Sequence, residues 1–438
     1  MKKIKTIKVV LTFAVMGFLN SCSLEADNPN NLLEEGLNVL AFNPMVNGLE
    51  GVLTRAYGNI LAPYSVGSDE MIWIGSRDAW QQLNFGNLDN PNNEFTDAAF
   101  FYVGEARYWA DDVIKRGEEF SKEATFSDSN KVDLVRAYIY GAIIYNVIAD
   151  MFDDFVVTSA KTEAGTPVGP NNMSNLYDTA VEYLNKGLSL NAGYTGELKA
   201  LLARTHFSKQ IWGKINPVNT STPLVNSSAA VAAANEALSL LTADFSFNLI
   251  TSAAAPETVG GLDIAGEVNS RLEMRISDEY VISSDEKRPD AIDDGIAETT
   301  VSLLDPIDNI ADPALFKLVY GFTKPELYPS LPIVTAREMY LILAEDALAS
   351  GNTEGFKTQI NVLRALDGLT PFSGQIDAVD LLLHSRRVNL FLQGRRIVDH
   401  YRFNTPSPYW SSSAVASIKP GTLLPITISE IKANPNIN

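Results

Sequence analysis

The strongest constraint on the fold is a format the chain repeats: a capped amphipathic helix, a short stop, then a second amphipathic helix. Thr335-Ala-Arg-Glu338 puts a hydroxyl at an N-cap and a glutamate three residues on, the pattern that satisfies orphan backbone donors. Tyr340, Leu343, Ala344, Ala347 and Leu348 then share one helical face, and Gly351-Asn352 supplies a stop. Phe356, Ile360 and Leu363 form the stripe of a following helix that ends at Asp367-Gly368. Earlier, Leu176, Ala180, Leu184 and Leu188, a turn over residues 191–196, and Leu198, Leu201, Leu202 and Thr205 repeat the format. Residues 131–151 and 229–242 read as further helices of such pairs.

A lone hairpin cannot bury its apolar stripes, so hairpins recurring at about 34 residues predict tetratricopeptide-like stacking, although the strict signature residues of that repeat are missing. The expected class is therefore all-α. Minor strands are expected at FVVTS (155–159) and LPIT (424–427), with long irregular stretches at roughly 62–98, 152–174, 213–228, 251–330 and 403–422. Loops of that length usually carry function or are disordered.

The N-terminus gives an address. Met1-Lys2-Lys3-Ile4-Lys5 precedes an apolar run from Val9 to Leu19, too short for the roughly 20 residues of a membrane-spanning helix and typical of a secretory signal. The only cysteine is Cys22, directly after Asn20-Ser21, so no disulfide can form within the chain. Its place resembles the lipobox of bacterial lipoproteins, in which that cysteine is acylated; residues 22–31 would then be a polar tether from the anchor. Glu25 and Asp27 resemble the acidic signal that sends some lipoproteins to the outer face of the outer membrane.

Residues 1–21 hold four lysines and no acid, so their removal takes the formal charge from -19 to -23. Such a chain is repelled by nucleic acid and by anionic lipid faces. A hydrophobic content of 46% is ample for a core, and no other segment is expected to reach membrane-spanning length.

Several motifs in order resemble the SusD-like (SusD/RagB) lipoproteins: the lipobox, LLARTHF (201–207), LPIVTAREMYLILAEDALASGN (331–352), INVLRALDGL (360–369), SRRVNLFLQGRRIVDHYRF (385–403) and LLPITISEIKANPNI near the end. The family form of the penultimate motif is approximately Glu-Arg-Arg-x-Glu-Leu-x-x-Glu-Gly-x-Arg-x-x-Asp-x-x-Arg. Arg386, Arg387, Leu390, Gly394, Arg396, Asp399 and Arg402 are kept, while Ser385, Asn389 and Gln393 replace the three glutamates. Read as one helix, the segment places Gly394 within an apolar stripe and lets Asp399 reach Arg395 and Arg402. The arginines are expected to be architectural, paired with neutral acceptors, distant acids or carbonyls where the glutamates are lost.

The resemblance implies a SusD-like fold in which residues 32–250 and 251–438 pack as one unit. It also implies a lipid-anchored outer-membrane protein, facing the exterior, that binds an oligosaccharide and serves as a lid for a SusC-like TonB-dependent transporter. Peptide uptake and a tetratricopeptide-like scaffold without a small ligand are the alternatives. No enzyme, cofactor or metal is expected: no nucleophile elbow, phosphate loop or dinucleotide fingerprint occurs, and His206, His384 and His400 lack metal-ligand spacing.

Sugar recognition needs flat apolar faces for pyranose C–H surfaces and polar groups at the rim for hydroxyls. The segment Ser68 to Asn87 supplies that mixture in Asp69, Trp73, Arg77, Trp80, Gln81, Asn84 and Phe85, and Tyr409 and Trp410 form a second possible platform.

Overall fold

Helix α1 (Phe42–Val66) is followed by strand β1 (Met71–Trp73), a short α2 (Asp78–Asn84) and the long α3 (Glu94–Phe120). The start of α3 is set locally: the Asn93 side chain accepts from the backbone N–H groups of Phe95 and Thr96, with Glu94 and Asp97 in the positive first turn. In α4 (Asp128–Met151), Ser127 and Asn130 cap reciprocally. β2 (Val156–Val157), β3 (Thr166–Pro167), α5 (Asn175–Leu190), α6 (Thr195–Ile215), α7 (Ser228–Leu240) and β4 (Ser246–Ile250) complete the first half. The second holds α8 (Ile264–Asn269), β5 (Met274–Ile276), α9 (Pro313–Thr323), β6 (Ser330–Thr335), α10 (Ala336–Ala349), α11 (Thr353–Leu366), α12 (Ala378–Asn389), α13 (Arg396–Phe403), α14 (Val415–Ile418) and α15 (Ile428–Ala433).

This computed structural model describes residues 37–158, 163–252, 263–282, 301–323 and 328–437, with Ala254 and Thr258 besides. The signal, Cys22 and the tether lie outside them. Residues Phe42–Asn438 form one compact unit; of the other, Met1–Ala41, the described part is a single 3-10 turn at Val39–Ala41.

The expected hairpins are present. α3 packs on α4, α4 on α5, α5 on α6, α6 on α7, and α10 on α7 and α11, so each helix buries its stripe against a sequence neighbour or the next pair. Thr335 caps α10 by accepting from the Glu338 N–H, and Asn352 caps α11. Gly141 marks a close helix approach: a Cβ there would stand 2.7 Å from Ile114 Cδ1 and 2.9 Å from Tyr183 Cδ2.

Several expectations change. α4 is long and apolar enough to cross a membrane, but 89% of its apolar window is buried in the body, which makes it the central core helix. At 155–159 only Val156–Val157 is a strand, pairing with Thr166–Pro167, and Ser159 lies outside the described residues. At 424–427 there is only a bridge from Leu424 to Phe152. The stretches expected to be irregular contain structure, notably β1 antiparallel to β5, with Met71 opposite Ile276, and outside them β4 pairs antiparallel with β6. These pairings join distant segments, so no local pattern announces them.

Residues 385–403 are not one helix. α12 stops at Asn389 and α13 begins at Arg396, and between them Leu392 and Gly394 adopt positive φ of 54° and 72°. Gly394 is favoured by its positive φ in this turn, and an added Cβ would also have to displace Met151 Cε. Of the two expected partners of Asp399, Arg402 is kept, while Arg395, at the N-cap of the same helix, turns instead to Glu338 and Arg386 of α12 takes its place.

Candidate functional site

The arginine-rich motif forms the buried frame beneath the candidate surface. Arg386 donates to Asp399 at 2.8 and 3.1 Å, Arg402 donates to Asp399 at 2.9 Å, and both guanidinium groups face Glu345. Arg395 is held by Glu338 at 3.1 Å and by the Ile333 carbonyl. Burial opposes ionisation of Asp399, but Arg386 and Arg402 outweigh it and hold the carboxyl at about 2. At the sites of the missing glutamates, Asn389 accepts from Arg337 at 2.8 Å and the Gln393 amide donates to the Asn389 carbonyl. The arginines thus turn to distant acids and carbonyls, as expected.

Asp69 belongs to this frame. Its oxygens accept from Arg396, each at 2.7 Å, with Tyr280 Oη at 3.2 Å and Arg387 at 3.5 Å. Burial pushes its carboxyl up, yet His400 and Arg396 beside it more than offset that and keep it well below the usual range. Its neighbour Glu70 is the reverse case. Burial without a cation in direct contact raises it to about 8, although the Leu392 N–H donates to it at 2.7 Å across the kinked turn.

Above the frame, three segments meet. Asn84 Oδ1 accepts from the Trp73 N–H at 2.8 Å, the Phe85 carbonyl accepts from the Ser411 N–H at 3.0 Å, and Ser407 Oγ donates to the Ser68 carbonyl at 3.0 Å. The third segment, 273–281, is added by β1 and β5; its Glu273 carboxylate accepts from the N–H groups of Ser76 and Arg77 and so fixes the turn that presents Arg77. The two stretches singled out in the sequence are therefore parts of one region.

Within it the residues have different roles. Trp80 is fully buried, stacked on Phe95 at 3.7 Å between centroids, with Nε1 donating to Glu267 at 3.2 Å. Trp410 is buried against Gly86 with Nε1 donating to the Gly67 carbonyl, and Asn84 is buried as the clamp on Trp73. Trp80, Trp410, Asn84 and Asp69 are thus buried in the interior, where Trp80 and Trp410 spend their indole N–H groups, Asp69 its carboxylate and Asn84 its amide oxygen on neighbours within the chain. The solvent side carries Arg77, paired with Glu94 at 2.6 Å, the 43% exposed Phe85, and half-buried Trp73 and Tyr409. Burial raises the Tyr409 hydroxyl pKa, with Ser277, Asp278 and Glu279 around it. Sequence reasoning missed this third segment; the apolar–polar alternation of Met274-Arg275-Ile276 beside Ser277-Asp278 was its only local signal.

The histidines have ordinary partners. His206 is half-buried and pushed below its usual pKa, first by burial and then by Lys209. His400 is buried against Trp410, and its Nδ1 faces the Thr405 carbonyl. His384, Asp305 and Asp312 bring ligand atoms within 4.8 Å of one another, a grouping the sequence spacing did not suggest. Arg364 already engages both Asp305 oxygens, and Asp312 caps α9 and meets His384 at 2.9 Å.

No protein-family model and no curated protein matches the sequence. Solved structures do match. A SusD superfamily protein from Bacteroides thetaiotaomicron is similar over 92% of this chain and 99% of its own, with 15% identity and a TM-score of 0.64. A SusD-like carbohydrate-binding protein from Bacteroides vulgatus covers 83% of each chain at 12% identity and a TM-score of 0.55. NanU of B. fragilis is similar over 92% of this chain and 96% of its own, at 14% identity and a TM-score of 0.60. The chain has the SusD-like fold.

Proposed function

We propose that this chain is a cell-surface glycan-binding lipoprotein that hands its ligand to a SusC-like TonB-dependent transporter. The observation that carries the reading is a fold likeness running over nearly the whole chain to proteins described as carbohydrate- or sugar-binding. The lipobox-like place of Cys22 supports the location. Aromatic and hydrogen-bonding side chains at Trp73, Arg77, Phe85 and Tyr409 are suited to pyranose faces and hydroxyls. Transport needs binding and closure without covalent chemistry: a ligand that contacts both lid and barrel favours the closed complex by its differential affinity.

The test has two arms. Cys22→Ser should release the protein from the outer-membrane fraction. Purified protein should bind a glycan saturably and unchanged, with affinity reduced by Tyr409→Ala or Arg77→Ala, and should co-purify with a TonB-dependent barrel from its own cells. Turnover of the glycan, or absence of any barrel partner, would count against the reading.

A further inference from the structure

An open cavity of about 870 Å³ lies away from the rim just described, along the outer face of α3 and bounded by residues 155–156, 163–165 and 430–435. Its volume falls within the range of small-molecule sites. Phe101, Gly104, Glu105 and Tyr108 recur at helical spacing on this face, with Trp109 beside them, and Phe101 is 66% exposed. Such a run of aromatic side chains on an open helix face presents flat apolar surface for about 12 Å along the axis, taking the helical rise per residue from Phe101 to Trp109. Gly104 keeps the floor low, because a Cβ there would meet only Phe155 Cζ, at 4.0 Å.

The polar groups choose among ligands. Arg107 is buried and held by Asp111 at 2.9 Å and by the Thr158 carbonyl at 2.6 Å, while its Nε–H has no hydrogen-bond partner among the described residues. That nitrogen is sealed from solvent, so Arg107 stiffens the floor of the trough rather than meeting a ligand. Acceptors lie on the same walls in Glu105, which pairs with Arg55, and Glu430. With Arg107 neutralised by Asp111 beneath the surface, the charged groups left on the walls are carboxylates, which accept hydrogen bonds and repel a bare anion. Beside the aromatic face they suit a ligand that offers hydroxyl donors on a skeleton with an apolar face.

We propose that this trough is a second carbohydrate site, taking a short neutral oligosaccharide that lies along α3 over Tyr108 and Phe101, with its hydroxyls donating to Glu105 and Glu430. It rests on the reading of the chain as a glycan binder and adds a site distinct from the rim. Arg77 lies over the ring of Phe95 near the start of α3, and Tyr108 is thirteen residues further on, roughly 20 Å by helical rise. Two platforms so spaced would hold separate parts of one chain or two chains at once.

The experiment is a binding screen of the purified protein against linear trisaccharides of gluco-, galacto-, manno- and xylo-configured backbones, followed by calorimetry of the tightest. Gly104→Leu fills the trough without a backbone clash and improves helix propensity; Tyr108→Ala removes the platform; Tyr409→Ala reports on the rim. Expected are a trisaccharide whose affinity drops about tenfold or more in Tyr108→Ala and becomes undetectable in Gly104→Leu, with unchanged unfolding midpoints. Affinity unaltered in both trough variants but lost in Tyr409→Ala overturns the trough and leaves the glycan reading standing at the rim. Failure of every trisaccharide to bind the unaltered protein overturns both.

Discussion

Asp399 accepts two hydrogen bonds from Arg386, at 2.8 and 3.1 Å, in a part of the core where neither side chain meets solvent. The two residues belong to different helices, α12 and α13, so the pair fixes the angle at which the chain turns through Gly394. Arg402 and Glu345 close the group, leaving two cations facing two carboxylates.

Removing one member of such a group strands a buried charge. Asp399→Asn should lower stability by about 3–5 kcal/mol in urea unfolding. The Asp399 carboxyl titrates at about 2 in the fold, below its ordinary 3.8. Its contribution is therefore complete above the ordinary value and disappears as pH falls through about 2. A loss under about 1 kcal/mol in the variant would show that the pair is dispensable.

Glu70 acts with the opposite sign. Its folded value of about 8 lies above the ordinary 4.5, so the folded state binds the proton more tightly, and stability falls as pH rises between those values. Glu70→Gln keeps an acceptor for the Leu392 N–H and cannot ionise. It should match the unaltered protein near pH 4 and exceed it near pH 9 by a few kcal/mol, on the order of the linked shift. Equal stabilities at both pH values would contradict this.

The aromatic residues should divide into two classes. Trp80→Ala should cost about 3–5 kcal/mol through the cavity left against Phe95 and leave ligand affinity of the folded protein intact. Tyr409→Ala should do the reverse, with a small change in unfolding midpoint and a weakened ligand. Calorimetry and thermal melts on the same samples separate the two. A Trp80→Ala protein that folds normally and loses its ligand would move Trp80 to the binding surface.

Gly394→Ala should destabilise by about 1–3 kcal/mol, because a side chain must take a positive φ and displace Met151. Pairing it with Met151→Ala should recover the steric part and leave the backbone part. A variant as stable as the original would mean that the turn between α12 and α13 relaxes freely.

What the sequence makes legible is what is decided locally. The Thr335 cap, the stop at Gly351 and the stripes of Leu176 to Thr205 need only neighbours a few residues away, and those hairpins stand as expected. Gly394 looked like a residue of an apolar helical stripe because its immediate neighbours fit one. Its turn is set instead by Met151 and by Glu70, far off in the chain. The i+3 spacing found Arg402 as a partner of Asp399, but Arg386 is on another helix and Glu338, which takes Arg395, is far off in the chain. At the rim, composition found the segments but not which aromatic faces remain open: Trp80 and Trp73 differ through Phe95 and β5, which no spacing reveals.

The central claim is glycan binding, and isothermal titration of the purified protein with a broad panel of oligosaccharides and mixed peptides tests it most directly. The account predicts saturable binding to a glycan, returned chemically unchanged, with affinity reduced by Tyr409→Ala and kept in folded Trp80→Ala. Saturable binding of peptides with no response to any glycan would contradict it.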